Sequence, residues 1–259
     1  MPMTSMSFAR AAAYYDATRA LPEQVSDQVC TLLAAELAGR RRCLEIGVGT
    51  GRIALPLHDR GIAVLGLDLA RPMLEQLVAN AGGRAPFPVL VGDATRLPLA
   101  TASCDAVVAC HVLHLVPDWP SAIDEALRVL APGGVLLVDF GGGIPAPWSG
   151  ALSRIAAAHD VTDRRPGTSD PDELGGYLGR RAAQRALPEV SFPVTRTLAT
   201  DLDNWEQQIF SWTWNYSPEQ MKVVCDDIRR WALEVGRDLH EPATMQRSIR
   251  WLAYEPVAP

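Results

Sequence analysis

The sequence predicts an α/β fold: a seven-stranded, mostly parallel sheet with helices on both faces, N-terminal helices and a helical insertion. Three observations predict it. Between residues 42 and 141 short apolar runs alternate with helical stretches, the pattern of a parallel sheet joined by crossover helices. The runs are β-branched and almost continuously apolar, as strands buried on both faces are. The first of them passes through a glycine-rich turn directly into a helix, a join that brings backbone amides close to a ligand.

In chain order, a helix is expected over about 21–39, and Arg40, Arg41 and Arg42 stand at its end, where cations offset the negative helix terminus. RCLEIGVG (42–49), AVLGLDL (63–69), PVLVGDA (88–94), CDAVVACHV (104–112) and GVLLVDF (134–140) are the next strands. Helices over about 52–60, 71–81 and 119–130 separate them. The last is bounded by Pro120 in its first turn and by Pro132-Gly133-Gly134 beyond its end. GGGIPAPWSG (141–150) reads as a flexible exit, with a helix of roughly 149–160 behind it, and VTDRRPGTSDPDE (161–173) as a surface loop. The remaining two strands are expected at 189–199 and 246–254, with helical periodicity at 217–235 between them.

Composition narrows the function class. At 259 residues, 48% hydrophobic and 21% charged, the chain has the make-up of a globular protein. Its net charge of -6, with Lys222 the only lysine, lacks the long-range attraction to phosphate backbones that general nucleic-acid binding needs. Five scattered cysteines, Cys30, Cys43, Cys104, Cys110 and Cys225, form no CxxC pair, which argues against a disulfide framework or a regular zinc site. The first 20 residues hold no signal-like apolar run, and no stretch is long enough for a membrane span, so a cytoplasmic protein is expected.

The chemistry concentrates at the strand ends. Glu45-Ile46-Gly47-Val48-Gly49-Thr50-Gly51-Arg52 places glycines at alternate positions, where the backbone can turn tightly against a ligand. The third glycine comes one residue earlier than in the dinucleotide fingerprint GxGxxG. Asp68 closes the second strand and Asp93 the third, so Glu45, Asp68 and Asp93 lie together at the carboxyl edge, where open α/β sheets bind ligands. Taken singly, each is equally readable as a turn or cap residue.

The segments CLEIGVGTGRIALPL, LGLDLARPMLEQL, VGDATRLPLATASCDAVVACHVLHLVPDW and EALRVLAPGGVLLVDF, spanning about 43–140, resemble class I S-adenosylmethionine-dependent methyltransferases, and in particular the subgroup that includes the ubiquinone and menaquinone enzymes. The resemblance implies a Rossmann-like fold with S-adenosyl-L-methionine as cofactor. It implies that Gly47, Gly49 and Gly51 pass the methionine part with Glu45 nearby, and that Asp68 takes the ribose hydroxyls. Leu69 and Met73 would pack on adenine, Asp93 and Ala94 would meet its amine, and Cys110 and His111 would run past the sulfonium. YYDATR resembles a helix that folds over the cofactor, which brings in Tyr14, Tyr15 and Arg19. The implied division is N-terminal lid helices over 1–40, a cofactor-binding core over 41–200, a helical lid over 201–245 and a last strand over 246–259.

His111 and His114 are the candidate general bases, since histidine takes a proton near neutral pH; both are also readable as turn residues. Their i, i+3 spacing could suit a metal, but no third ligand is visible nearby, and no metal is expected. His159 and His240 read as surface or capping residues, and Cys104 and Cys110 as buried inert thiols. Arg52 could meet the cofactor carboxylate or simply decorate a helix start.

For the acceptor, ACHVLH stands where amino methylases of adenine or protein amides carry Asn/Asp-Pro-Pro-Tyr, and no Pro-Cys nucleophile is present, which leaves a small molecule. O-methylation of an aromatic or apolar metabolite is expected, with C- or N-methylation of a quinone-like or amine metabolite as the alternative. Rivals from other classes are an NAD-dependent oxidoreductase and a catalytically silent protein of the same fold. Neither a nucleic-acid nor a membrane partner is expected, and a homodimer is a possible assembly. Trp148, Phe210 and Trp214 are the candidate acceptor-lining rings, although each could equally serve packing. Phe210 and Trp214 belong to QIFSWTWNY (208–216), whose aromatic residues alternate like a strand but also form i, i+4 pairs. With Asp201 or Asp203 as a preceding N-cap and Ser217-Pro218-Glu219 starting the next helix, the stretch reads as a helix end in the lid.

Overall fold

The structure is a computed structural model describing residues 8–141 and 144–257. Residues 1–7 of the expected N-terminal segment, 142–143 of the glycine-rich exit and 258–259 beyond the last expected strand lie outside the described residues. The chain divides into two compact units. One comprises the described residues up to 141, Pro166–Val190 and the described residues from Ile249 on; the other comprises 144–165 and Ser191–Ser248.

The first unit holds a seven-stranded sheet. Its strands are β1 (Cys43–Ile46), β2 (Val64–Asp68), β3 (Val89–Val91), β4 (Cys104–Cys110), β5 (Leu130–Asp139), β6 (Ala182–Ala186) and β9 (Trp251–Pro256), in the order β3-β2-β1-β4-β5-β9-β6. The first five are parallel, and β9 runs antiparallel to both β5 and β6. After β3 the chain crosses back to the far side of β1 to lay down β4. This topological switch opens a crevice at the carboxyl ends of β1 and β4.

Helices α1 (Tyr15–Arg19), α2 (Glu23–Glu36), α3 (Ala54–Asp59), α4 (Arg71–Asn80), α5 (Trp119–Val129) and α7 (Pro171–Leu178) belong to this unit. Helix α5 shows why they form where they do. Asp118 caps its first turn by accepting from Ser121 N, Pro120 sits where no intrahelical N–H is needed, and Ala122, Ile123, Ala126 and Val129 make a buried stripe. That stripe packs on Leu44, Ile46, Val107 and Leu136 in one continuous core. Each Leu, Ile or Val buried there contributes about 1.5–3 kcal/mol.

The second unit contains a two-stranded sheet of β7 (Val190–Arg196) and β8 (Ala243–Ile249) with α6 (Ser149–Ala158), α8 (Leu198–Glu206) and α9 (Pro218–Glu234). Its core gathers Trp148, Leu152, Leu198, Leu202, Met221, Val224 and Ile228. Helix α9 starts as read from the sequence, with the Ser217 hydroxyl accepting from Gln220 N.

Several expectations are corrected. The strand expected at 189–199 is β7, and it pairs with β8 rather than joining the main sheet, where β6 stands instead. The strand expected at 246–254 is the end of β8 and most of β9, separated at Arg250. The loop expected to run to 173 gives way to α7 at Pro171, capped by Asp170. Helix α8 begins earlier than expected, with Thr197 as its cap, and Asp201 is a buried residue inside it, not a cap.

QIFSWTWNY is neither a strand nor the end of an α-helix but a 3-10 turn over Ser211–Asn215. With three residues per turn the i, i+4 pairing of rings does not apply. Side chains hold the turn instead: Gln208 donates to Thr213 O at 3.0 Å and Tyr216 O at 2.8 Å, and the Trp214 indole donates to Gln208 O at 2.7 Å.

Candidate functional site

Strand β1 delivers the chain into the glycine loop. Gly47, Gly49 and Gly51 all take positive φ, and a Cβ on Gly47 would stand 2.5 Å from the Val112 side chain. Only glycine fits there. Met73, 2% exposed, rises from α4 so that its Cε would lie 3.4 Å from a Cβ on Gly49.

The acids come to this edge together. Asp68, at the end of β2, accepts from Gly49 N at 2.9 Å and Ala70 N at 2.8 Å, which ties the second strand to the loop. Burial pushes its carboxyl up against the pull of those amides. Leu69 beside it is 40% exposed, an apolar surface offered at the rim. Asp93 folds into an Asx turn, accepting from both the amide and the hydroxyl of Thr95 at 2.9 Å, and Ala94 is buried behind it.

Glu45 is 3% exposed, and its Oε2 has no hydrogen-bond partner. Burial pushes its carboxyl up to about 8; the Arg52 guanidinium nearby pulls the other way, and Asp68 adds to the rise. A buried carboxyl oxygen without a partner is rare and calls for a donor. A ligand with an ammonium group fits this cradle, where glycines leave room for close approach and Glu45 offers an unsatisfied acceptor.

Beside it, β4 ends in Cys110 and His111. His111 adopts φ 52, a left-handed conformation that a non-glycine residue seldom takes and that concentrates at functional sites. Its Nε2 lies 3.1 Å from Asp139 Oδ2, and its backbone N–H donates to Asp139 O at 2.9 Å. Although burial works against ionisation of Asp139, the His111 contact and the Gly141 amide hold its carboxyl below the usual range. Gly141, at φ 69, lies against the imidazole so closely that a Cβ would sit 2.6 Å from Nε2. The arrangement fixes one ring nitrogen on a carboxylate and so sets the orientation of the imidazole at the end of β4.

Arg52 donates to Cys110 Sγ at 3.3 Å. Burial alone would lower its basicity, but the surrounding acids outweigh that, and Asp139 is the one among them held ionised. Burial pushes the Cys110 thiol well up, so it is a neutral packing group and not a nucleophile. Cys110, His111 and Asp139 place donor atoms within 4.8 Å of one another, a metal-like spacing, and the charge of Arg52 also acts on Asp139.

Tyr15, on α1, stands close enough to Arg52, Cys110 and Asp68 for their charges to act on its hydroxyl, which burial pushes up. Arg19 lies on the same short helix, half-buried. His114 lies beyond His111 in a 3-10 turn, Leu113–Leu115, and its carbonyl accepts from Gly167 N at 3.1 Å. In the second unit Trp148 is 1% exposed, and its indole donates to Asp201 Oδ2 at 2.8 Å; Phe210 and Trp214 are half-buried.

Sequence reasoning missed Asp139, although LLVDF signals it as an acid at the same sheet edge. It also missed Asp16, Thr50 and Asn80, which hydrogen-bond to one another across 64 residues of chain. No local pattern marks that contact.

A methyltransferase domain model matches residues 44–138. The chain is 38% identical over 188 residues to the malonyl-(acyl-carrier protein) O-methyltransferase of Geobacter sulfurreducens, covering 72% of this chain and 68% of that protein. It is 36% identical over 173 residues to the demethylmenaquinone methyltransferase of Thermus thermophilus, covering 64% and 73%. The crystal structure of the YcgJ protein of Bacillus subtilis superposes with a TM-score of 0.59 at 18% identity, over 90% of this chain and all of that one, a likeness that speaks for the fold. These relatives set aside the nicotinamide-dinucleotide and silent-protein alternatives. By its fold and its relatives the chain is an enzyme of the class I S-adenosylmethionine-dependent methyltransferases.

Proposed function

We propose that the enzyme methylates an oxygen atom of a small apolar or aromatic metabolite, with His111 as general base. The observation that carries this reading is the His111–Asp139 pair at the carboxyl end of β4, beside the loop and acids that suit the cofactor. S-adenosylmethionine, when bound, supplies an activated methyl group on a sulfonium. Asp68 would take the ribose hydroxyls, Leu69 and Met73 would pack on adenine, and Asp93 and Ala94 would meet its amine. Glu45, the three loop glycines and Arg52 would hold the methionine end, with Tyr15 and Arg19 closing the N-terminal side.

His111 would take the acceptor hydroxyl proton, and Asp139, 3.1 Å from its Nε2, would stabilise the imidazolium that results. Alignment by these residues contributes most, since positioning can supply roughly 7–11 kcal/mol of the barrier. The base adds about 10²–10⁴-fold. Phe210 and Trp214 keep part of their surface exposed, whereas Trp148 is packed in its own unit's core and serves it there.

The printed name of the Geobacter relative supports an oxygen acceptor. That of the Thermus relative supports the alternative, C-methylation of a quinone-like ring, and N-methylation of an amine stands beside it. Assaying S-adenosylhomocysteine formation against hydroxylated aromatics, malonyl thioesters, quinols and amines separates these readings. With the active acceptor, His111→Asn is expected to lower kcat about 10²–10⁴-fold while cofactor affinity holds. Undiminished turnover in that variant would remove His111 as the base.

A further inference from the structure

Helix α1 carries the Tyr15 hydroxyl into a shielded place near Arg52, Cys110 and Asp68, while its other residues stay at least partly exposed. An isolated five-residue helix is far too short to hold its own conformation in water. Beside the packing of Tyr15 on Phe8, polar contacts to the glycine loop and α4 fix it, and Asp16 is the side chain that makes them.

Its two carboxylate oxygens are used separately. Oδ1 accepts from the Thr50 hydroxyl at 2.5 Å, and Oδ2 accepts from Asn80 Nδ2 at 2.8 Å. Thr50 is 1% exposed and sits between Gly49 and Gly51, inside the glycine loop. Asn80, the last residue of α4, also donates to Thr50 O at 3.1 Å, and Gln76 one turn earlier donates to Asn80 Oδ1 at 2.9 Å. Gln76 thereby sets the orientation of the Asn80 amide, so its N–H groups face Thr50 and Asp16. Loop and α4 thus present two converging donors, and Asp16 is the single group that answers both.

We infer that Asp16, Thr50 and Asn80 form a clasp that fastens α1 against the glycine loop and sets how fast the cofactor exchanges. When α1 lifts, the clasp loses both hydrogen bonds together, and Tyr15 and Arg19 leave the cofactor edge with it. Water then satisfies Asp16; short helices of this kind lie at the low end of local stability. The inference concerns the cofactor site alone and does not depend on which acceptor is methylated. The three residues act by position and touch no reacting atom.

The test is the dissociation rate of S-adenosylhomocysteine from the full chain, measured by surface plasmon resonance. Asp16→Ala is expected to speed dissociation about tenfold, the scale set by losing two charge-assisted hydrogen bonds. Its melting temperature should stay within about 2 °C of the parent, because Asp16 is only half-buried and its removal takes away no apolar contact, whereas a merely structural residue would lower it.

Asp16→Asn can turn its amide so that Oδ1 accepts from Asn80 Nδ2 while Nδ2 donates to the Thr50 hydroxyl, and is expected to keep the rate within about threefold of the parent. An unchanged rate in Asp16→Ala would overturn the proposal, as would an Asp16→Asn variant as fast as Asp16→Ala.

Discussion

Glu45 sets the charge balance of the site. In the cofactor-free protein burial keeps its carboxyl protonated up to about 8, whereas the unfolded chain releases that proton in the ordinary carboxylate range. The folded state therefore binds the extra proton between these values. The corresponding stability is fully present below the unfolded pKa and lost as pH rises through about 8.

Cofactor affinity should run the other way, because an ammonium group favours the ionised carboxylate. Calorimetry is expected to show the dissociation constant of S-adenosylhomocysteine falling toward pH 8.5, by up to about tenfold per pH unit below the titration. Glu45→Gln should flatten that dependence and also flatten the fall in melting temperature over the same range. A parallel slope in the variant would take Glu45 out of the methionine subsite. The three acids at strand ends were legible in the sequence because strand periodicity alone places them at one edge. Asp139 was equally available by that rule, but its role depends on the turn that brings His111 back onto it.

Among the elements, the end of β4 and the end of β5 make one functional piece. His111 can lie on Asp139 only because Gly141, at positive φ, leaves its imidazole room. Gly141→Ala is expected to cost about 1–2 kcal/mol of stability from the left-handed backbone and, by displacing the ring, about 10²-fold in turnover. Chemical denaturation and kcat check the two parts; a variant with normal kcat would show that the ring position does not matter.

The parallel strands and their crossover helices could be read from the chain, since apolar runs and proline or glycine boundaries are local signals. The antiparallel edge could not. In β6 four of five residues are exposed, so Ala182–Ala186 carries no apolar period, and its place is decided by pairing with β9 some 70 residues away. Likewise β8 and β9 adjoin in sequence but pair in different sheets, and only their partners reveal the break at Arg250. The 208–216 turn was illegible for a related reason. Its shape follows from Gln208, itself at positive φ, reaching two carbonyls beyond it.

Across the molecule, the first unit was the legible one. Its motifs lie in strand order along about a hundred residues, and the switch between β1 and β4 brings them to a common crevice. The second unit builds its own core from α6, α8 and α9, in which Trp148 and Asp201 satisfy each other. Nothing in the sequence marks which tryptophans pack and which remain at the surface, because aromatic side chains serve both ends equally well.

The central claim is that the carboxyl edge of β1–β4 holds S-adenosylmethionine through the acids on successive strands. Titrating S-adenosylhomocysteine into the parent chain and into Asp68→Ala by calorimetry tests it most directly, with Asp68→Asn as the variant that preserves shape. The account predicts a dissociation constant raised at least about thirtyfold in Asp68→Ala, as expected when a charged acceptor is withdrawn from ribose hydroxyls. An unchanged dissociation constant in a folded Asp68→Ala would contradict it.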